Sequence, residues 1–327
     1  MSFCKDKISD SWNWACKFRG FEWAGYRLGD TNVRIVGNPE IIGKSGRLLE
    51  KIKRSLFNML FIPAFEIEEE NIDKFVSLIS EFKPVMIRGY SSSIYVLADY
   101  LSEKDLNIHR PRCVVITGEK CFDWQRRVME HQFGCGVFDD YGSQEIDSIA
   151  HECDEHIGLH VSMENVIVEF VDENGQVIRD GRIGDIVVTG LNSFSMPFIR
   201  YRLGDRGRYL NIKCPCGRAS YLIDHIEGRI PDVIFTPSGK HLSVHFFTIF
   251  FKHLASVKQF QIRQKSKDQL ETLIVVNRNF DTKDLVIINK KIQEHIGIDM
   301  VNSVRIVDNI PLDSSGKRKF IISQLRK

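Results

Sequence analysis

The 327-residue chain has little net charge and no long apolar run. Lys and Arg number 45 and Asp and Glu 43, and the resulting net charge of +2 gives no reason to expect nucleic acid or an anionic membrane as a partner. No apolar stretch reaches the ~18 residues needed to cross a bilayer, and the start, MSFCKDKISDSW, lacks the apolar core of a secretion signal. The sequence therefore predicts a cytoplasmic protein.

The sequence also gives no sign of a disulfide framework or of a Walker A phosphate loop. The eight cysteines are scattered, and in a reducing compartment such cysteines are thiols or metal ligands and do not form a disulfide framework. A Walker A phosphate loop fails on spacing, since Gly37 and Gly43 enclose five residues whereas the pattern G-x-x-x-x-G-K allows one fewer. That segment is interpreted as an ordinary strand, loop and helix.

The first half of the chain alternates strand-like and helix-like segments. Strands are predicted at VRIVG (33–37), VMIRG (85–89), CVVITG (113–118) and GVFDDYG (136–142). Helices are predicted at 68–82, from Ser91 onward in SSSIYVLADYL, and around 124–133. This alternation favours an α/β fold with a parallel sheet.

The pattern of alternating strand-like and helix-like segments ends near residue 158. The following stretch resembles β-hairpins, with ENG and RDG at the turns. A domain boundary is predicted near Gly228–Asp232, so that residues 1–228 comprise an α/β part to about 157 and a β-rich part over 158–228. Residues 229–327 are predicted to form a small α+β domain, with a helix near 282–296 and a strand at VRIVD.

Four short motifs follow one another along the chain: DDYGSQE (139–145), YRLGDRGR (201–208), EGRIPDVIFTPSGK (227–240) and IPLDSSGKRKF (310–320). Each motif is weak alone, but their order and distances are hard to obtain by chance. The chain resembles the adenylate-forming superfamily, and within it the phenylacetate–CoA ligase and CapK-type capsular polysaccharide branch. GEKCFDWQRRVMEHQFG, MPFIRYRLGDRGR and CPCGR also favour this branch.

The resemblance implies an α/β fold that is a remnant of the large N-terminal domain of these ligases, with its parallel sheet and β-subdomain, and a small α+β C-terminal lid domain. It also implies two half-reactions. A carboxylate attacks the α-phosphate of ATP to give an acyl-adenylate and pyrophosphate, and a thiol, coenzyme A or a carrier-bound thiol, then takes the acyl group. The expected partners are thus a small-molecule carboxylate and coenzyme A.

Roles for the YGSQE residues follow from the same resemblance. Glu145 would hold Mg²⁺, a hard cation that prefers carboxylate oxygen and bridges phosphates. Tyr141 and Gly142 would bind the adenine and its surroundings. Gln144 replaces the usual Thr or Ser, and its amide can still donate to a phosphate.

Other nucleotide contacts are expected outside that motif. Gly118 and Glu119 would wall the other side of the adenine. Asp205 would accept hydrogen bonds from the ribose hydroxyls, and Arg229 would reach the ribose or a phosphate. Lys317, in the Ser-Ser-Gly loop, would oppose the charge that develops on the α-phosphate. A solvated turn lysine is the alternative for Lys317.

The resemblance also assigns an acyl pocket and a hinge. Tyr90 and Ser91 would line the acyl pocket, although a helix N-cap is the alternative for the serine. Pro231 replaces the usual hinge Asp, with Asp232 beside it. Because proline fixes φ, we expect a hinge that swings less freely or is displaced to its neighbours.

A metal site is predicted from Cys153, His160, Cys214 and Cys216. Three thiols and one imidazole make a closed tetrahedral zinc site with a structural role, and the resembled branch often carries the same pattern. His151 is the alternative fourth ligand. The competing interpretation is that these are buried cysteines that act as small apolar residues.

One departure leaves the activity open. Ligases of this kind have a TSGSTG-like loop that holds the pyrophosphate end of ATP, and nothing in the chain matches it. The resemblance therefore begins after that loop, and an exposed apolar surface that favours association is expected where the missing segment would pack. The alternatives to a ligase are a homologue without turnover, with a nucleotide-binding or partner role, or one half of a split enzyme.

Overall fold

The computed structural model describes residues 3–36, 56–64, 67, 71–229, 233–237, 241–243, 247, 250–251, 254–297, 299–312, 319–323 and 325. The chain divides into two compact units, Met1–Gly228 and Arg229–Lys327. Each unit has its own apolar core.

The first unit is built on one sheet of eleven strands, in the order β2-β1-β3-β4-β5-β6-β7-β11-β10-β9-β8. Its first five strands run parallel, and four of them correspond to the strands expected from the sequence, whereas β2 was not predicted. Their bounds are β1 Asn32–Val36, β2 Met59–Pro63, β3 Met86–Tyr90, β4 Cys113–Thr117 and β5 Gly136–Tyr141. The predicted α/β class with a parallel sheet is confirmed.

Three helices connect these parallel strands: α2 Ile72–Phe82, α3 Ser91–Glu103 and α4 Asp123–Phe133. In α2 the apolar residues Ile72, Phe75 and Ile79 are buried, because they recur at helical spacing. Residues 68–70, which the sequence placed in this helix, lie outside the described residues. The helices and strands share one core, which includes Ile35, Ile87 and Val114.

Helix α1, Lys7–Trp23, packs with a different set of strand residues. Its Phe21 lies in a cluster with Met86 and Val115, whereas Ile87 and Val114 belong to the other core. Because successive side chains of a strand point to opposite faces, α1 covers the face of the parallel sheet opposite α2 to α4. The side chain of Asp6 caps α1 by accepting from the Ser9 N–H at 2.8 Å.

The remaining strands of the first unit make the β-rich half. Their bounds are β6 Ala150–Glu152, β7 Leu159–Val161, β8 Val166–Val171, β9 Gly184–Gly190, β10 Tyr201–Leu210 and β11 Leu222–Arg229. β5 pairs with β6, β6 with β7, β7 with β11, β8 with β9 and β9 with β10, all antiparallel, as expected of hairpins. The turn between β8 and β9 contains the predicted ENG, and its Asp172 accepts from two backbone N–H groups at 2.9 Å.

The second unit has the α+β composition predicted for it. Helix α5 spans Thr282–Ile296. Its N-cap residue is Asp281, whose side chain accepts from two backbone N–H groups. A sheet in the order β16-β15-β14-β17 and a two-stranded sheet, β12-β13, complete the described elements. Their bounds are β12 Val233–Phe235, β13 His241–Ser243, β14 Val257–Ser266, β15 Gln269–Val276, β16 Val301–Ile306 and β17 Ile321–Ser323. Among the described residues, no helix combines the length and apolarity that crossing a membrane requires.

Candidate functional site

Predicted site residues from three parallel strands lie at one edge of the sheet. Tyr90 ends β3, Thr117 ends β4 and Tyr141 ends β5. The strands are neighbours, and their register pairs Tyr90 with Thr117 and Thr117 with Asp140. Gly118 follows Thr117 with φ 76°, a conformation that favours glycine. The carboxyl ends of parallel strands are where open α/β sheets bind ligands.

The chain leaves β5 in a compact loop over residues 142–147. A Cβ atom on Gly142 would overlap the carbonyl oxygen of Asp147, so the two ends of the loop touch and only glycine fits. Inside the loop, the Ser143 N–H donates to the Ile146 carbonyl at 2.9 Å, and the Ile146 N–H donates to the Ser143 hydroxyl at 2.9 Å. This bonding leaves Gln144 exposed at the tip of the loop.

Two hydrogen bonds join this region to the YRLGD motif on β10. The Tyr141 hydroxyl donates to Asp205 Oδ2 at 2.9 Å, and the Tyr201 hydroxyl donates to Glu145 Oε1 at 3.1 Å. The pairing of β10 with β9 is irregular between Arg202 and Arg206, so Asp205 lies in a distorted part of the strand. Each motif thus supplies one tyrosine and one carboxylate to the other.

Tyr201 is a site residue that the sequence reasoning missed. The available signal was its place at the head of YRLGD, a motif singled out only for its aspartate. Its contact with Glu145 spans 56 residues and follows from the tertiary fold alone.

The other predicted residues at this edge meet around the start of α3. The Ser92 N–H donates to Glu119 Oε2 at 2.9 Å, so Glu119 satisfies an end group of that helix. The Ser91 hydroxyl donates to the Lys120 carbonyl at 3.3 Å. Tyr90, and not a serine, is the N-cap residue of α3, and it makes no side-chain capping bond. The term strand-end site is used below for the following groups: Tyr90, Ser91, Gly118, Glu119, Tyr141, the 142–147 loop, Tyr201 and Asp205.

Four other predicted residues lie wholly or partly outside the described part of the chain. Arg229 ends β11, but its side chain lies outside the described part of the chain. Pro231, Asp232 and Lys317 also lie outside the described residues. Their nucleotide, hinge and lysine roles stay predictions.

A second group of predicted residues forms a separate cluster in the β-rich half. The ligand atoms of Cys153, His160, Cys214 and Cys216 all lie within 4.8 Å of one another. Cys153 directly follows β6 and His160 is the middle residue of β7, whereas both other cysteines lie between β10 and β11. We call these four residues the Cys/His cluster.

The distances within the Cys/His cluster fit tetrahedral zinc. The Cys153 and Cys214 sulfurs are 3.7 Å apart, close to the ~3.8 Å that Zn–S bonds of about 2.3 Å impose on two sulfurs in a tetrahedron. The Cys216 sulfur is 3.4 Å from His160 Nε2, where the same geometry asks for about 3.6 Å. His160 Nδ1 lies 2.8 Å from the Ser220 hydroxyl, which leaves Nε2 to face the cluster.

The ionisation of the cluster also suits a cation. Burial raises the pKa of Cys153 to about 12, so this thiol stays protonated unless a cation displaces its proton. At Cys216, burial raises the pKa, but hydrogen bonds from the backbone and side chain of Arg218 outweigh it and the pKa is lowered. Burial, with the charges of Arg218 and Arg19, lowers the pKa of His160 and favours the neutral imidazole that metals bind.

His151, the alternative fourth ligand, is held elsewhere. It is buried, with Nδ1 3.2 Å from Asp140 Oδ1 and Nε2 2.7 Å from the Ser148 hydroxyl. Both ring nitrogens thus face polar partners outside the Cys/His cluster. The structure brings His160 together with the three cysteines and leaves His151 outside.

A group of charged side chains lies between the strand-end site and the Cys/His cluster. Glu152, the residue before Cys153, accepts from the Asp139 N–H at 2.8 Å and is 3.0 Å from the Arg126 guanidinium. Burial, and then the charge of Glu152, raise the pKa of Asp139 to about 7. Arg126 and a hydrogen bond from His156 hold the pKa of Glu152 below its usual range despite its burial.

The fold of the chain is similar to that of solved CoA ligases. The chain superposes on a 2-hydroxyisobutyryl-CoA ligase in its postadenylation state with a TM-score of 0.73 and 18% identity, over 96% of this chain and 70% of that one. It also superposes on the Bacillus subtilis o-succinylbenzoate CoA synthetase, with a TM-score of 0.62 and 15% identity, over 96% of this chain and 64% of that one. These similarities confirm the predicted fold.

Sequence comparisons find similar proteins among CapK and the phenylacetate-coenzyme A ligases. Residues 234–324 match the CapK C-terminal domain family. The chain is 24% identical to protein CapK of Staphylococcus aureus over 276 residues, which are 82% of this chain and 59% of that protein. It is 31% identical to the phenylacetate-coenzyme A ligase of Pseudomonas putida over 168 residues, which are 50% of this chain and 38% of that protein. The predicted resemblance to the phenylacetate–CoA ligase and CapK branch is confirmed.

Proposed function

We propose that this chain takes part in ATP-dependent activation of a carboxylate, with transfer of the acyl group to coenzyme A or a carrier-bound thiol. The observation that carries the proposal is the reciprocal bonding of two motifs at the strand-end site, Tyr141 to Asp205 and Tyr201 to Glu145. This bonding sets an aromatic ring and two carboxylates at the edge where α/β sheets bind ligands. The chain spans 59% of the length of CapK, so the activity of such a whole protein is itself part of the proposal.

In the proposed first half-reaction, the nucleotide lies against the carboxyl ends of β4 and β5. The adenine lies between Tyr141 and the Gly118–Glu119 segment, and Asp205 accepts from the ribose hydroxyls. Tyr90 and Ser91, at the start of α3, line the acyl pocket. A substrate carboxylate oxygen then forms a bond to the α-phosphorus, and the bond from that phosphorus to the pyrophosphate oxygen breaks.

Four residues are proposed to stabilise the phosphate charge in this step, Glu145 through Mg²⁺ and Gln144, Lys317 and Arg229 directly. Glu145 would hold Mg²⁺, which when bound neutralises phosphate charge, and the Tyr201 hydroxyl orients that carboxylate. Gln144 is exposed, and in the proposal its amide donates to a phosphate oxygen. Lys317 and Arg229 supply positive charge from the second unit and its border, with the unit 229–327 acting as the lid and Pro231–Asp232 as its hinge.

The Cys/His cluster is proposed as a structural zinc site. Four protein donors leave no open coordination position, which argues for a structural rather than a catalytic ion. Zinc would be held by Cys153, His160, Cys214 and Cys216 and would link β6 and β7 to the segment before β11. Metal analysis of the purified protein tests this proposal, and a content below about half an equivalent per chain would count against it.

A second candidate function follows from one sequence observation, the absence of a TSGSTG-like segment from these 327 residues. It is a homologue that binds nucleotide or a partner without turnover. A split enzyme, in which another chain supplies the loop, is a variant of this candidate. The two candidates differ in whether this chain alone catalyses adenylation.

ATP–pyrophosphate exchange with a panel of aryl and alkyl carboxylates tests the proposed ligase. We expect exchange with at least one acid and its loss in Lys317→Ala, because the ammonium stabilises charge on the reacting phosphate. Lys283→Ala, an exposed lysine on α5, is the matched control and should retain exchange. Absence of exchange with every acid would overturn catalysis by this chain alone and favour the second candidate.

A further inference from the structure

One face of helix α1 lies against the segment that follows the 142–147 loop. Asn13 Oδ1 accepts from the Ser148 N–H at 3.4 Å, and Lys17, one turn later, pairs with Asp147. Gly20, a further turn along, lies so close to the His151 ring that a Cβ atom there would clash with it. Spacings of about three or four residues place these groups on the same side of a helix.

The ion pair is the tightest of these contacts. Lys17 Nζ is 2.5 Å from Asp147 Oδ1, and the two side chains are only 17% and 31% exposed. Lys5 Nζ is 4.0 Å from the other carboxylate oxygen. Burial raises the pKa of Asp147, but the ammonium of Lys17 outweighs it and holds this pKa below its usual range. The ion pair joins residues 130 positions apart.

Helix α1 is itself fixed at both ends, so it can serve as a support. Near its start, Asp6 Oδ2 accepts from the Ser195 N–H at 3.0 Å. Near its end, Arg19 is 2.5 Å from Glu164 Oε1. Loss of the Lys17 contact would thus release the loop and leave the helix in place.

Asp147 closes the 142–147 loop. Its carbonyl oxygen lies directly against Gly142, and Glu145 is two residues before it. A shift of Asp147 therefore moves both the loop entry and the carboxylate that faces Tyr201. A displacement of about 1 Å in a positioning group can cost about a hundredfold in rate.

We propose that Lys17 is a positioning residue, which anchors Asp147 and thereby sets Glu145 and Gln144 for the metal–nucleotide substrate. This inference rests on the proposed function, because it assigns a purpose to the loop that the proposed ligase uses. Lys17 does not itself touch the reacting atoms in this scheme; it acts through Asp147.

The test compares Lys17→Met, Lys17→Arg and the double variant Lys17→Met with Asp147→Asn. Lys7→Met is the matched control, since Lys7 is an exposed lysine on the same helix. Two experiments are done. The first measures hydrogen–deuterium exchange of the peptide 141–149, and the second measures KM for MgATP and kcat of ATP–pyrophosphate exchange across Mg²⁺ concentrations.

We expect Lys17→Met to speed deuterium exchange of the loop and to raise the Mg²⁺ concentration needed for half-maximal activity by about tenfold or more. Lys17→Arg should restore most of both properties, because it returns a positive charge. The double variant removes the uncompensated carboxylate, so a persistent defect there separates positioning from the cost of a buried lone charge.

The outcomes that overturn the inference are distinct from those that overturn the ligase. If deuterium exchange of 141–149 and the Mg²⁺ dependence are unchanged in Lys17→Met, or change equally in Lys7→Met, Lys17 does not position the loop. If the double variant regains wild-type values, the effect was only the cost of a lone charge, and the proposal is wrong. If the wild-type protein shows no exchange activity, the proposed function fails for this chain alone, while the deuterium exchange measurement still decides whether Lys17 anchors the loop.

Discussion

The Cys/His cluster and the strand-end site gather residues from distant segments in opposite ways. In the cluster, Cys153, His160 and Cys214 are buried and their donor atoms face one another. At the strand-end site, Tyr141 and Glu145 are half-buried and Gln144 is exposed. The first arrangement has the geometry expected of a closed metal site, whereas the second lies at the open end of the sheet, where α/β proteins bind exchangeable ligands.

The two regions are also held by different forces. Hydrogen bonds from tyrosine hydroxyls and a close glycine contact shape the strand-end site. In the cluster, by contrast, the thiols face one another and His160, whose other ring nitrogen faces the Ser220 hydroxyl. We therefore expect the cluster to govern stability and the strand-end site to govern activity, and the four predictions below test that division.

The largest effect is expected from Cys153→Ser. Serine is a poor zinc ligand, so the variant should lose the metal and lower the free energy of unfolding by at least about 3 kcal/mol. Zinc content and denaturant unfolding measure both effects. Cys4→Ser, at an exposed cysteine outside the cluster, is the control and should change neither. Retained zinc and stability in Cys153→Ser would show that the cluster is only a group of buried thiols.

Gly142→Ala should come next and act on the strand-end site. The added methyl group would overlap the Asp147 carbonyl oxygen, so the loop must open. We expect a loss of about a hundredfold in ATP–pyrophosphate exchange and about 2 kcal/mol of stability. Gly190→Ala is matched to it, because its new Cβ would have only the Ser193 Cβ, 3.8 Å away, within reach. Equal behaviour of the two variants would contradict the special role of Gly142.

Tyr141→Phe removes one hydroxyl and keeps the ring. The lost hydrogen bond to Asp205 is worth about 1 kcal/mol, which corresponds to about a fivefold rise in the KM for ATP. Zinc content should stay unchanged, since this residue lies outside the cluster. Tyr221→Phe, at a side chain that is 63% exposed, serves as the control. A change in zinc content without a change in KM would reverse the division between the two regions.

Asp139→Asn should change activity least and probes the ionic group formed by Asp139, Glu152 and Arg126. The carboxyl pKa is about 7 in the folded protein against 3.8 for the ordinary side chain, so the folded state holds an extra proton between these values. The stability that this proton contributes is complete below about pH 4 and is lost as the pH rises through about 7, with a slope of at most about 1.4 kcal/mol per pH unit.

Asparagine does not titrate, so the free energy of unfolding of the variant should rise relative to that of the wild-type protein from pH 4 to 7. Above that range the difference between the two should stay constant. Unfolding free energies of both proteins at several pH values measure this difference, in which the pH dependence of the cluster thiols cancels. Asp123→Asn, at an exposed carboxylate on α4, is the control. A difference that does not vary with pH would show that Asp139 is not protonated in the folded state.

Much of the fold was predictable because its signals are local. The parallel strands appear as apolar runs, and Ile72, Phe75 and Ile79 follow the helical period that buries them in α2. The four residues of the Cys/His cluster could be singled out for a different reason, since thiols and an imidazole are the donors that zinc prefers. The choice between His151 and His160 was not, because it depends on which ring faces inward across β6 and β7.

The sequence by itself determined the identity of the motifs, the α/β alternation and the set of soft ligands, because these depend on residue type and on spacing along the chain. Tertiary structure alone decided the contacts of Tyr201 with Glu145, of Lys17 with Asp147 and of His160 with Cys216, which join residues 56 to 130 positions apart. Such contacts arise when the sheet brings distant segments to one edge, and no local period or propensity encodes their partners.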